Sequence, residues 1–122
     1  MAGALTIDTL NASTGPLSTN NGMSGIAKAW VNYNGSTQTV NASFNVSSVT
    51  YVSTGQYTVN FTTAMPNATY ATALSQARTA ASSDFGYMGT YSASTTSISL
   101  TTANTSASRI NFDSVSVSVF SS

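Results

Sequence analysis

The chain has no cysteine, no histidine and no glutamate. Without cysteine there is no disulfide framework, no thiolate nucleophile and no thiolate metal site. Without histidine no Ser–His pair can activate a nucleophile. The two gaps together leave zinc and iron without their usual ligands. The carboxylates are Asp8, Asp84 and Asp113, far apart in sequence, whereas glycoside hydrolysis takes two that face each other across a sugar. Neither GxGxxG nor GxxxxGK[ST] occurs, so no phosphate-cradling glycine loop is present. No loop offers the closely spaced oxygens that calcium takes. The expectation is a protein that is not an enzyme and holds no cofactor and no metal.

Charge is almost as scarce. Charged residues make up 5% of the chain, against about 25% in ordinary soluble domains. The cations are Lys28, Arg78 and Arg109, and the net charge is zero. Three scattered cations cannot supply the basic footprint that nucleic acid binding needs. No apolar run is long enough to span a bilayer, so membrane insertion is not expected. Residues 1–8 lack the basic start and apolar stretch of a secretory signal. A neutral chain gives up charge repulsion as a guard against association. It therefore reads as a subunit of a larger assembly, with self-association expected.

The residues that are present point to strands. The 122 residues have the length of one domain, with 41% hydrophobic and 10% aromatic residues, enough for a modest core. Leu5 and Ile7 alternate with Thr6 and Asp8, and Gly15-Pro16 and Asn21-Gly22 punctuate the next stretch. Residues 1–25 accordingly read either as an arm ahead of a 26–122 domain or as its first strand and a long loop. As an arm, Leu5, Ile7 and Leu10 are the expected particle anchor or oligomerisation contacts. Ala29, Val31 and Tyr33 alternate with Lys28, Trp30 and Asn32, and Asn34-Gly35 reads as a type I′ hairpin turn. Tyr57, Val59 and Phe61 form the cleanest alternation. Tyr70, Thr72 and Leu74 share one face. Residues 76–84 read as a loop, with at most a helical turn. Phe85, Tyr87 and Tyr91 mark a strand in which Gly86 and Gly89 are expected as bulges or close-approach points. Ile98 and Leu100 mark another. Ile110 and Phe112 differ in parity from Val115, Val117 and Val119, so a break is expected near Asp113-Ser114. Seven to nine short strands without a convincing helix predict an all-β fold, an antiparallel β-sandwich or jelly-roll-like domain.

Four aromatics stand out as candidate ligand or subunit contacts: Trp30, Tyr33, Tyr87 and Tyr91. A lone Trp on a strand more often fills a core or a subunit seam than a sugar site, and that reading is favoured for Trp30. Tyr87 and Tyr91, near loops, suit a polar-aromatic binding surface.

One stretch is specific enough to resemble a family. It comprises Ala27-Lys28-Ala29-Trp30-Val31-Asn32-Tyr33-Asn34-Gly35, Ser43-Phe44-Asn45-Val46-Ser47-Ser48-Val49 and Gly55-Gln56-Tyr57-Thr58-Val59-Asn60-Phe61-Thr62-Thr63-Ala64-Met65-Pro66. These runs resemble a module of bacteriophage tail-fibre and related virion proteins, found in phages of marine and freshwater bacteria, cyanophages among them. The closing Val115-Ser116-Val117-Ser118-Val119-Phe120 resembles the module's last strand. Gln56 stands where the module usually has Asp, and the basic residue usual before Ser43-Phe44-Asn45 is missing around Asn41-Ala42. The resemblance implies an antiparallel sandwich, often a homotrimer, assembled in the host cytoplasm and displayed on the virion beside other virion proteins. It implies a tail-fibre or tail-tip subunit that binds a host-surface glycan or protein. A start at Met1 is expected for a complete, short gene product, which suits a capsid decoration (cement) protein almost as well. A free carbohydrate-binding module is the remaining alternative.

Overall fold

Period-two alternation decides which residues enter the core, and β-branched Val, Ile and Thr favour the extended backbone that carries it. The protein, studied as a computed structural model, is described over residues 3–4, 6, 9–12, 15–18, 25–78 and 86–121. Those residues contain ten strands: β1 (Thr9–Ala12), β2 (Gly15–Ser18), β3 (Ala29–Asn34), β4 (Thr39–Phe44), β5 (Val46–Ser53), β6 (Gln56–Phe61), β7 (Ala71–Ala77), β8 (Gly86–Ala93), β9 (Ser97–Asn104) and β10 (Ser114–Phe120). β1 and β2 pair as a hairpin. The other eight form two antiparallel sheets, ordered β4-β3-β10-β7 and β5-β6-β9-β8. The expected all-β sandwich is what the chain forms.

The inner strands supply the core. Ala29, Val31 and Tyr33 of β3 and Val115, Val117 and Val119 of β10 are buried with Tyr57, Val59 and Phe61 of β6 and Ile98 and Leu100 of β9. Phe112 and Met65 complete the cluster, and Leu74, Met88 and Val49 from three edge strands pack against it. Removing such side chains from water contributes about 1.5–3 kcal/mol each for the larger aliphatic and aromatic ones. Tyr33 meets Tyr57 edge to face, with centroids 5.2 Å apart, the arrangement that ring quadrupoles favour.

Hydrogen bonds close one end of the sandwich. The Tyr57 hydroxyl lies 2.7 Å from Asn111 Oδ1 and 3.1 Å from the Gly35 carbonyl. Asn111 Oδ1 also accepts from the Gly55 amide at 2.7 Å. Gly55, at φ 67°, turns the chain from β5 into β6, a conformation that costs glycine nothing. Its carbonyl accepts from the Thr102 amide at 2.8 Å.

Several sequence expectations are corrected. Asn34-Gly35 does not form a two-residue turn. The β3–β4 connection runs through residues 35–38, and the positive φ falls at Gln38. Gly35 is instead fixed by crowding, since a Cβ there would lie 2.5 Å from the Tyr57 hydroxyl and 2.8 Å from the Phe112 carbonyl oxygen. Gln76 and Ala77 belong to β7, not to a loop, because they pair with Val115 and Ser114. Gly86 is a close-approach point, where a Cβ would collide with the Ala103 carbonyl, but Gly89 has open space beside it. The irregularity in β8 falls between Thr90 and Ser92. The break near Asp113 is a bend just ahead of β10, and it lets Phe112 and Val115 both point inward. Strand pairing also reaches into residues 1–25, with Leu10 opposite Leu17. Leu5, Ile7, Asp84 and Phe85 lie outside the described residues.

Leu100 is fully buried and Val52 is exposed. Leu100→Ala should cost about 2–5 kcal/mol in urea unfolding. Val52→Ala should stay within about 0.5 kcal/mol of the parent.

Candidate binding surface

The crossing from β4 to β5, which takes the chain from one sheet to the other, depends on Asn45. Its φ is 53°, in the left-handed region that Asn tolerates better than most residues. Its side chain then spans three segments. Nδ2 donates to the Lys28 carbonyl at 2.9 Å and to the Thr63 carbonyl at 3.1 Å, and Oδ1 accepts from the Thr63 amide at 2.7 Å. The Asn45 carbonyl accepts from the Thr62 amide at 3.2 Å. The Met65 amide donates to the Thr95 carbonyl at 2.7 Å, which fixes the segment after β6 against the turn before β9.

These ties frame an open groove of about 590 Å³ at the end of the sandwich opposite Tyr57 and Asn111. Met65, Pro66, Ile26 and Phe44 give it apolar walls, and Lys28 is the charged residue that lines it. Met65 is buried, whereas Ile26 and Phe44 are well exposed. The lining holds no carboxylate. Among the described residues no three of His, Cys, Asp and Glu come together. The groove can hold an apolar group by contact with these walls.

The four aromatic candidates do not converge. Tyr33 is corrected outright. It points into the core at 1% exposure, because it shares the inner face of β3 with Ala29 and Val31. It cannot meet a ligand or a neighbour from there. Trp30 takes the opposite face of the same strand and is 39% exposed, so it does not fill this core. In register it stands opposite Phe44 of β4 and Ser118 of β10, which places an exposed aromatic pair beside the groove. Tyr87 and Tyr91 lie on β8, an edge strand of the other sheet, at 65% and 52% exposure.

Between these aromatics the outer faces are amide and hydroxyl ladders. On one, Asn32 Nδ2 donates to Ser116 Oγ at 2.8 Å and Ser114 Oγ at 3.2 Å, and Asn41 donates to Asn32 Oδ1 at 2.8 Å. On the other, Asn60 Nδ2 donates to Ser48 Oγ and Thr50 Oγ1, both at 3.0 Å. The side chains satisfy one another across strands, the pairing that stabilises a sheet surface.

Sequence reasoning misses the groove as a site, although its parts are in view. Ala27-Lys28, Phe44-Asn45 and Thr62-Thr63-Ala64-Met65-Pro66 come from the three separate runs that carry the resemblance, and the fold brings them to one place. Comparison with family models, curated proteins and solved structures finds no match.

The ties at Asn45 and the buried phenols can each be measured. Asn45→Ala removes three side-chain bonds and strains a residue at positive φ, so it should cost about 2–4 kcal/mol. Asn45→Gly, free of that strain, should cost measurably less in the same chemical unfolding assay. Burial raises the Tyr57 phenol to about 12, with Tyr51 adding to the shift, and burial raises Tyr33 further. The folded state thus keeps protons that the unfolded chain releases from about pH 10 upward. Stability should be level below that point and fall between about pH 10 and 12, as read by thermal unfolding across the series.

Proposed function

We propose that this chain is a non-enzymatic structural subunit of a bacteriophage particle, of the tail-fibre or tail-tip type, carried on the particle exterior. The observation that carries the reading is the convergence at the groove. Parts of three runs that resemble the phage module, Ala27-Lys28, Phe44-Asn45 and Thr62-Thr63-Ala64-Met65-Pro66, line one groove at one end of the sandwich. A shared motif that assembles a surface is more telling than one that only fills a core. The groove, with Trp30 and Phe44 beside it, suits an apolar side chain of a neighbouring virion protein. Tyr87 and Tyr91 suit a host-surface glycan or protein, since their rings are exposed and their hydroxyls can hydrogen-bond. The uncharged outer faces suit packing among copies.

Gold-labelled antibody on intact particles tests the location. Label at the tail supports the reading. Label on the head replaces it with capsid decoration, and particles free of label remove the virion assignment. Y87A/Y91A should keep the fold by circular dichroism and lose at least about tenfold in host-cell binding. Unchanged binding takes both residues out of the receptor site.

A further inference from the structure

Sheet edges present unpaired backbone amides and carbonyls, and proteins usually blunt them with bulges, prolines or charges. Among the described residues the two sheets have four outer strands, and none of them contains a charged residue or a proline. Three of them have a bulge or irregularity in their pairing. It falls at Asn32/Tyr33 for the β3–β4 pair, at both ends of β5, and at Thr90/Ser92 for β8. β7 is different. Its seven residues pair with β10 without a break, and its exposure alternates cleanly from end to end.

We propose that β7 is a self-association edge, which pairs antiparallel with β7 of a second copy about a two-fold axis through Leu74. Register is set by parity. Residues opposite each other in an antiparallel pair lie on the same face, so the axis must pass through a residue and not between two. Centring it on Leu74 uses all seven positions. Ala71 then faces Ala77, Thr72 faces Gln76 and Ala73 faces Ser75. Alternating bonded and non-bonded pairs supply roughly six to eight backbone hydrogen bonds.

Charge does not oppose the pairing. Arg78 comes directly after the strand, so the two copies of Arg78 lie at opposite ends of the paired segment. Two-fold pairing gives an even number of copies. A threefold ring built on other faces remains compatible, because dihedral symmetry contains both axes.

Analytical ultracentrifugation of the full chain tests the edge. The parent should sediment as a dimer or another even-numbered assembly. Ala73 and Ser75 are exposed and outward, so A73K/S75K sets like charges opposite each other twice and should weaken association about tenfold or more. A73K/S75E faces each new cation with a new anion and should restore it. The chain has no cysteine of its own, so A73C/S75C provides a separate readout and should oxidise to a covalent dimer. A monomeric or odd-numbered parent, a double-lysine variant of unchanged affinity, or failure to cross-link overturns the proposal. None of these readouts depends on a virion location.

Discussion

The two sheets are held in place by neutral amides at both ends. Asn111 gathers Tyr57 and Gly55 at one end, and Asn45 gathers Lys28 and Thr63 at the other. Between them the core is mostly apolar side chains and tyrosine rings, with Thr102 a buried hydroxyl that donates to the Ile110 carbonyl. In most domains such long-range ties include ion pairs, which salt screens within about 10 Å at ordinary ionic strength. A hydrogen bond between an amide and a carbonyl is not screened in that way. The amide ties at Asn111 and Asn45 are therefore contacts that ionic strength barely touches.

The same scarcity of charge shapes the outside. Ladders such as Asn41–Asn32–Ser116 and Ser48–Asn60–Thr50 commit their polar atoms to one another. Such a face is wettable but binds water less strongly than a charged one. Covering it with another neutral face leaves no ion to desolvate. The composition therefore sets little electrostatic cost against covering these faces.

Legibility in the sequence depends on how local the cause of each feature is. β6, β9 and β10 declare themselves because Tyr57-Val59-Phe61, Ile98-Leu100 and Val115-Val117-Val119 alternate within single strands. The inward bend at Asp113 is legible for the same reason, as a change of parity. Gln76 and Ala77 mislead because their composition tolerates a helix, while their pairing with β10 decides the outcome. That is tertiary context overriding local preference. Asn34-Gly35 misleads because dipeptide preference suggests a tight turn, whereas Tyr57 and Phe112, both distant in sequence, dictate the path. Tyr33 and Trp30 are separated by parity alone, and the aromatic label groups what the strand divides. The groove is illegible for a plainer reason. Its walls come from three segments, and no local pattern shows that they meet.

Asn34-Gly35 has one more consequence. An Asn-Gly bond is the usual weak point in an ageing polypeptide, because the glycine nitrogen can attack the asparagine side-chain carbonyl and expel ammonia. Here that nitrogen carries a hydrogen bonded to the Phe112 carbonyl at 2.8 Å. The carbonyl it would attack is turned toward the amides of Ser36 and Thr37, at 2.8 and 2.9 Å. Cyclisation would first have to break all three contacts. A chain that relies on asparagine where others use charge has thus immobilised this hydrolytic liability inside its own fold.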